Sequence, residues 1–430
     1  MVKPRTERFI GLEWLRFLLG CYVMIYHTAH MYPQIKRVPF LSELTSMGFF
    51  ATSTFFVLSG FLLAHVYIRG GQLREPARHF WAKRLFTLYP IHIMALLASI
   101  AVVTLMQWLA VPPEGQVASA RFVIYDTNEP NVDPESLRHY MTNAQLLFNS
   151  LLQVFMLQAW NPYFLTFNAP LWSLSTLFFF YLLFPALGPR LLNSRHPWIW
   201  LGIICLLYLI PPAWIIWKQQ FGMPYTGLLQ RGPIFRLPEF LAGILGYALF
   251  RHYRDRARMP LTSGQRTGVV AFIVLNFIAG AWLFTNGEAY WYFLLHNGLL
   301  LPAQVGLVCL SALARDPDSH WLRHWSPRLG AASLSIFALH VPLFNLFRTL
   351  EQLVRGDPMT CFSDWEQCAV AAGNVQLSLP GYGIFLLATV VICLLFQEQI
   401  VTRVRQFLTT RFLPRKARPE RNLRKPQQTA

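Results

Sequence analysis

Long apolar stretches alternate with polar connections along nearly the whole chain. Each stretch has about 18–27 residues, which at 1.5 Å per residue is enough to cross roughly 30 Å of hydrocarbon as a helix. The pattern predicts ten helical spans, at 9–31, 45–68, 85–111, 170–189, 197–217, 233–250, 267–286, 289–312, 329–349 and 381–402.

The longest connection, 112–169, follows the third span and contains a semi-polar run over 137–160 that is predicted to be helical. Two interpretations of this run stay open. It is either a lid or partly re-entrant helix at the outer face, or a plain surface helix.

Composition excludes a soluble enzyme. Of the 430 residues, 54% are hydrophobic and 13% are charged, whereas a soluble domain has about 25% charged residues. We therefore expect an all-α polytopic membrane protein with about ten transmembrane helices.

Charge gives the expected topology. The chain has 37 Lys and Arg against 20 Asp and Glu; 27 of the cations lie in the terminal segments and alternate connections, and seven lie in the remaining connections. The positive-inside rule then places both termini in the cytoplasm. Because the cations flank apolar spans, membrane lipid is an expected partner and nucleic acid is not. The expected division is a membrane domain, 1–402, and a basic, disordered cytoplasmic tail, 403–430.

Two cysteines, Cys361 and Cys368, share one connection assigned to the outer face. An oxidising compartment would allow a disulfide there. Metal binding is not expected, because no ligand spacing typical of a metal site appears in the sequence.

The first span carries the most polar side chains. Arg16 and His27 are eleven residues apart, so they lie on one helical face about 16 Å apart, with Glu13 and Gly20 near the same line. Charged groups at membrane depth point to function, and His27 is suited to acid–base chemistry. The alternative is that Arg16 and His27 snorkel to opposite interfaces. Gly20 leaves room for a thin ligand or another backbone.

Other polar groups recur near the ends or middles of later spans, and each has a structural alternative. Ser59 and Gly60 are also typical of a notch where two helices pack closely. Lys83 and Arg84 are also typical of a cytoplasmic anchor. His340 could form a second polar wall of the site or be a structural histidine. The remaining candidates are an indole with two hydroxyls and an i,i+3 ion pair: Trp172, Ser173, Ser175, Arg236 and Glu239.

In order and type, these groups resemble the acyltransferase-3 family of integral-membrane O-acyltransferases, the type that O-acetylates bacterial O-antigens and exopolysaccharides. The resemblance covers about 9–402. Two positions depart from the family pattern: Thr87, where a second arginine is usual, and Leu177, where a glutamate is common. The matching blocks are Glu13-x-x-Arg16 with His27, Phe55-Phe56-x-x-Ser59-Gly60, Arg84 with Tyr89-Pro90, Leu171-Trp172-Ser173-Leu174-Ser175, Arg236-x-Pro238-Glu239-Phe240, and Leu329-Gly330-x-x-Ser333 with His340-x-Pro342.

The resemblance implies a multi-pass enzyme of the bacterial cytoplasmic membrane. It would move an acyl group, most simply acetyl, from cytoplasmic acyl-CoA, a co-substrate and not a bound cofactor, to a hydroxyl of a glycan or glycolipid. His27 would be the general base, Arg16 would orient the donor, and Glu13 would complete the set. Donor contacts would come from Lys83, Arg84, Tyr89, Ser59 and Gly60, and acceptor contacts from Trp172, Ser173, Ser175, Arg236, Glu239 and His340.

Three alternatives remain at this point. A covalent acyl-histidine is a second chemical route. The aligned polar residues of the first span would also suit a proton-coupled transporter or flippase of a glycan precursor. The departures at Thr87 and Leu177 would fit an inactive member that acts as a structural partner in glycan synthesis or export.

Overall fold

The computed structural model describes residues 8–109, 121–256 and 261–413. Two short antiparallel hairpins are the sheet structure of this part: β1 (Ile68–Arg69) with β2 (Gln72–Leu73), and β3 (Phe122–Ile124) with β4 (Arg138–Tyr140). Everything else regular is helical: α1 (Ile10–Ala29), α2 (Pro33–Lys36), α3 (Leu41–Thr45), α4 (Gly48–Tyr67), α5 (Ala77–Trp108), α6 (Asn143–Val154), α7 (Trp172–Leu192), α8 (Pro197–Lys218), α9 (Tyr225–Arg231), α10 (Pro233–Arg256), α11 (Ser263–Asn286), α12 (Tyr290–His296), α13 (Leu301–Ala312), α14 (His320–Arg355), α15 (Thr360–Ser363), α16 (Trp365–Gly373), α17 (Leu379–Phe396) and α18 (Thr402–Phe412), with three 3₁₀ turns (Pro134–Leu137, Gln158–Trp160, Ala169–Leu171) and a π turn (Gln397–Val401).

The expectation of an all-α polytopic membrane protein is confirmed. In the part of the chain that the structure describes, nine helical segments are long and apolar enough to cross a membrane. The first expected span, α1, is not among them, because Glu13, Arg16 and His27 lower its hydropathy. It is a regular 20-residue helix whose side chains belong to the main hydrophobic core.

The expected span at 289–312 is interrupted. Helix α12 ends at His296 and α13 begins at Leu301, with Asn297 fully buried and Gly298 at φ +110° between them. The apolar run predicted one continuous helix, but a residue at positive φ cannot continue a right-handed helix. The break frees the His296 carbonyl to accept hydrogen bonds from the side chains of Tyr208 and Arg236.

Helix α1 lies inside the bundle and packs mainly on α14 and α4. A second close contact joins α4 to α10: a Cβ at Gly60 would lie 2.0 Å from the Phe240 carbonyl oxygen, and one at Gly243 would lie 1.9 Å from that of Val57. The backbones can approach this closely because both positions are glycine. Helices α8 and α11 are the least buried of the nine segments and form the periphery.

The outer connection differs from the expected helix over 137–160. Only Asn143–Val154 is α-helical; β4 and 3₁₀ turns form on either side of it. Helix α6 buries Asn149 and Gln153 and exposes Leu147, Phe148 and Leu151. An apolar face turned away from the protein suits contact with lipid and disfavours a plain surface helix. Its role as a lid stays a prediction, and 112–120 lie outside the described residues.

The segments before and after the last span contain a disulfide and a longer helix than expected. Cys361 and Cys368 form a disulfide, as predicted. The expected tail boundary at 403 is corrected, because α17 continues through the π turn into α18 and ends at Phe412. The Phe412 ring packs 6.1 Å from that of Phe86 on α5, which extends the ordered helix into the basic segment. Residues 414–430 of the predicted tail lie outside the described ranges.

Candidate functional site

Two histidines from helices far apart in sequence meet in the bundle. His27 Nδ1 on α1 lies 2.9 Å from His340 Nε2 on α14, and the rings stack at 19° with centroids 5.0 Å apart. His340 is fully buried, and His27 is partly accessible. The sequence left two alternatives for His340, a second polar wall of the site or a structural histidine. Its direct contact with the candidate base His27 favours the first.

The hydrogen bonds assign the tautomer of each ring. His340 Nδ1 lies 3.0 Å from the Ile336 carbonyl oxygen, which can only accept, so Nδ1 carries the proton. Neutral His340 then presents a lone pair at Nε2, and His27 Nδ1–H donates to it. Nε2 of His27 is left with a lone pair, which is the arrangement that a general base requires.

A proline near His340 ties α14 to the outer connection. Pro342 has no N–H, so the Ala338 carbonyl loses its helical partner. The side-chain amide of Asn168 donates to that carbonyl at 2.9 Å. The α14 segment that carries His340 is therefore fixed to the residues just before α7.

A cavity of about 290 Å³ opens beside His27. It lies between the end of α1 and the 35–46 segment, and its lining surface is mostly apolar. The polar residues of the lining besides His27 are Tyr26, His30, Lys36, Ser42, Thr45 and Ser46. Because the cavity adjoins the candidate base, it is the place where an acceptor hydroxyl could meet His27.

Arg16 and Glu13 lie at the other end of α1. Arg16 Nη1 is 3.5 Å from Glu13 Oε2, and Arg8 Nε is 3.6 Å from Glu13 Oε1. Arg16 keeps 31% of its side chain exposed, so it can meet a ligand at this end. At about 16 Å along the helix, neither residue reaches the atoms that His27 reaches. The structure does not bring the three predicted catalytic residues to one point.

Gly20 lies on α1 between Arg16 and His27, and it faces the backbone of α14. A Cβ at Gly20 would lie 3.1 Å from the Ser333 carbonyl of α14, and one at Gly330 would lie 2.3 Å from Glu13 Oε2. The slot predicted along α1 is therefore filled by α14. This close packing sets the register that brings His340 to His27.

The predicted donor residues lie apart from the histidine pair. Lys83 pairs with Glu75, and Arg84 contacts the Tyr67 hydroxyl with its guanidinium 4.7 Å from that ring. Tyr89 packs against the core. Gly60 forms the α4–α10 notch described above, beside Ser59, which agrees with the packing alternative. Donor binding by these five residues stays a prediction.

The predicted ion pair Arg236–Glu239 is confirmed and is fully buried. Arg236 Nη2 lies 2.9 Å from Glu239 Oε1 and donates to Ser53 Oγ at 2.7 Å, and Nη1 donates to the His296 carbonyl freed by the break after α12. The Tyr208 hydroxyl donates to Glu239 at 2.9 Å. Because the buried guanidinium and carboxylate both have several hydrogen-bond partners, the ion pair is held in one geometry. These residues do not line the cavity beside His27.

The hydroxyl block at the start of α7 is also internal. Trp172 lies beside Arg236, with the guanidinium 5.9 Å from its ring, Ser173 donates to the Pro170 carbonyl, and Ser175 accepts from the Ala159 amide. Acceptor contacts by Trp172, Ser173, Ser175, Arg236 and Glu239 stay a prediction.

Sequence reasoning missed a second buried ion pair. Arg231 is fully buried, with Nη2 2.7 Å from Asp126 Oδ2 and Nε donating to the Asn161 carbonyl. Burial raises the pKa of Asp126, and the Arg231 guanidinium acts against that rise. Arg231 directly precedes an apolar span, a position typical of a membrane anchor. No sequence pattern indicated that it pairs with Asp126 in the outer connection. Elsewhere in the described ranges, no group of three metal-ligating side chains could hold a metal ion.

Comparison with known proteins gives the family of the chain. The chain is 27% identical over 260 residues to the acyltransferase MdmB of Streptomyces mycarofaciens, an alignment that covers 58% of this chain and 59% of that protein. No solved structure matches. A family model described as an acyltransferase domain matches residues 9–398, from before α1 to the end of α17. That match includes both histidines of the pair, and the chain belongs to the acyltransferase-3 family of membrane acyltransferases.

Proposed function

We propose that the protein transfers an acyl group, most simply acetyl, from cytoplasmic acyl-CoA to a hydroxyl of a glycan or glycolipid at the outer face of a bacterial cytoplasmic membrane. The observation that carries the proposal is the hydrogen-bonded pair of His27 and His340, of which His27 lines a cavity. The family supplies the reaction class, acyl transfer.

In the proposed step, the acceptor O–H donates to His27 Nε2 and the acceptor oxygen attacks the thioester carbonyl. The new C–O bond forms, the C–S bond breaks, and the proton taken by His27 passes to the departing CoA thiolate. While His27 is an imidazolium, its Nδ1–H still donates to His340 Nε2, which stabilises the positive ring and holds its orientation.

Arg16 supports binding of an elongated donor. It lies at the cytoplasmic end of α1 by the charge pattern, it is partly exposed, and Glu13 orients its guanidinium. A thioester on the long pantetheine arm of CoA suits a binding group and a reacting group separated by about 16 Å. We propose that Arg16 orients this donor and that direct transfer, without an acyl-histidine, is the main route.

The test uses purified protein in lipid nanodiscs with acetyl-CoA and surface glycans from a deletion strain. We expect free CoA thiol to appear only when a hydroxyl acceptor is present, and the glycan to gain the mass of one acetyl group. The same protein is also placed in sealed lipid vesicles. Movement of the glycan across the vesicle membrane, with no thiol release in either preparation, would contradict the proposal and would favour the flippase alternative.

A further inference from the structure

A groove of about 490 Å³ lies between the end of α7 and the start of α8. The two helices are joined by the short connection 193–196, and both pack against α10. We call this space the α7–α8 groove. It shares no lining residue with the cavity beside His27, so it is a separate feature of the molecule.

The polar residues of the α7–α8 groove lie at one end of it. Arg190 is in the last turn of α7, and Ser194, Arg195 and His196 follow in the connection to α8. The side chains of Arg190, Arg195 and His196 are exposed. The charge pattern assigns this connection to the cytoplasmic face. Cationic groups therefore collect at the inner end of the groove.

No carboxylate offsets this positive charge. None lines the groove, and in the part of the chain that the structure describes neither Arg190 nor Arg195 forms an ion pair. Arg190 Nη1 donates at 3.1 Å to the Ala186 carbonyl of its own helix. The nearby β1–β2 hairpin is followed by Glu75, but that carboxylate is paired with Lys83. An anion would therefore be attracted to the inner end of the groove.

The start of α8 adds to the attraction. Helix α8 begins at Pro197, directly after His196, whose side chain forms no capping hydrogen bond. The positive end of the helix dipole thus lies at the same end of the groove as the two arginines. The Ser194 hydroxyl accepts from the His196 amide at 3.3 Å, so its own proton is available for donation. Two guanidinium groups, a hydroxyl and a helix N-terminus together suit a phosphate.

The rest of the α7–α8 groove is apolar and open to the bilayer. Its lining surface is mostly apolar and includes Leu187 on α7 and Leu241 in the membrane-spanning part of α10. Trp200, at the edge of the groove near the start of α8, is 47% exposed, and α8 is among the least buried of the nine apolar segments. A partly exposed tryptophan near a helix end is typical of the membrane interface. The groove thus offers an apolar surface for a hydrocarbon chain next to a site for an anion.

We propose that the α7–α8 groove binds one anionic phospholipid of the cytoplasmic leaflet. The phosphate lies between Arg190 and Arg195 beside the Ser194 hydroxyl, and one acyl chain lies along Leu187 and Leu241. Basic sites between transmembrane helices at this face suit anionic head groups. A soluble phosphate would use the cationic end alone, and a zwitterionic lipid would bring an ammonium that the guanidinium groups repel. The inference does not depend on the proposed acyl transfer.

The test measures lipid binding to the full chain in detergent by native mass spectrometry. The probes are phosphatidylglycerol, phosphatidylcholine with the same acyl chains, and glycerophosphoglycerol, which is the anionic head group without acyl chains. Arg190→Gln/Arg195→Gln removes the two cations of the groove. Arg403→Gln/Arg411→Gln removes the same charge from exposed positions of α18 and is the matched control.

A second pair of variants tests the apolar part of the groove. Leu187→Trp fills it, and Leu182→Trp places the same side chain at an exposed position of α7 outside the groove. The melting temperature of every variant is measured with and without phosphatidylglycerol, and acetyl-CoA affinity is measured on the same samples. If Leu187→Trp fails to fold, the arginine variants still test the proposal.

We expect wild type to bind one phosphatidylglycerol at least tenfold more tightly than phosphatidylcholine, and not to bind the free head group at the same concentration. Arg190→Gln/Arg195→Gln should weaken phosphatidylglycerol binding at least about tenfold, Leu187→Trp should weaken it to a similar extent, and both controls should stay within about twofold of wild type. Phosphatidylglycerol should raise the melting temperature of wild type and of the controls but not that of the double arginine variant.

Three results would overturn the inference. Equal affinity for the two lipids would show that the head group is not recognised, and an equal loss in Arg403→Gln/Arg411→Gln would show a diffuse effect of charge. Binding of glycerophosphoglycerol as tight as that of the lipid, or a loss of acetyl-CoA affinity in Arg190→Gln/Arg195→Gln with unchanged lipid binding, would assign the cations to a soluble phosphate.

Discussion

His340 is predicted to act through His27, and two nearly isosteric substitutions test this. His340→Gln keeps an acceptor close to the position of Nε2, so the amide oxygen can still accept from His27 Nδ1–H. His340→Met fills a similar volume without a strong acceptor. Both variants lose the bond to the Ile336 carbonyl, so the difference between them isolates the 2.9 Å contact with His27.

The expected magnitude follows from the strength of that contact. The bond already exists while His27 is neutral, so only its gain in strength on protonation affects kcat. A hydrogen bond is worth about 1 kcal/mol between neutral groups and about 1.5–3 kcal/mol to a charged group, a gain of about 0.5–2 kcal/mol. At 1.36 kcal/mol per factor of ten, His340→Met should lower kcat about 2–30-fold. His340→Gln should lose less than His340→Met, since a neutral amide oxygen still accepts.

The assay is CoA thiol release at saturating acetyl-CoA and acceptor, with the double variant His27→Ala/His340→Met included. If His340 works only by orienting and stabilising His27, the double variant should be no slower than His27→Ala alone. A further loss in the double variant, or equal activities of His340→Gln and His340→Met, would refute the reasoning. His320→Ala, an exposed histidine of the same helix, is the control.

Three further predictions concern groups outside the histidine pair. Arg231→Met should destabilise the protein by about 3 kcal/mol in thermal unfolding, because it leaves Asp126 partly buried and unpaired, and adding Asp126→Asn should restore part of the loss; an unchanged melting temperature would contradict the role of this pair. Arg16→Ala should raise KM for acetyl-CoA with little effect on acceptor KM, and Arg16→Lys should recover only part because an ammonium lacks the planar fork; full activity of Arg16→Ala would refute its donor role. Non-reducing intact-mass analysis after alkylation should find Cys361 and Cys368 protected, and reduction should cost about 2 kcal/mol for so short a loop; free thiols would contradict the disulfide.

Much of the fold could be predicted because each membrane span is a local property of the sequence. Runs of apolar residues set the helices, and spacing within one helix placed Arg16 and His27 on one face and paired Arg236 with Glu239. The wrongly predicted continuous helix at 289–312 also has a local cause. The Asn297–Gly298 break lay inside an apolar run, and hydrophobicity alone does not register a backbone turn.

The candidate site was only half predictable. His27 could be singled out within its own helix, but its partner His340 is 313 residues away and depends on how α1 packs on α14. Gly330 allows that approach, and a single glycine in a sequence does not indicate which helix will face it. The same limit applied to Arg231, whose partner lies in a connection with no regular hydrophobic pattern.

The central claim, that His27 is the general base, is tested most directly by acyl transfer in His27→Ala with acetyl-CoA binding measured on the same sample. We expect acylation to fall by a factor of about 10²–10⁴, with donor affinity and thermal stability close to wild type, and His320→Ala to retain full activity. Near-normal acylation by a folded His27→Ala would contradict the account.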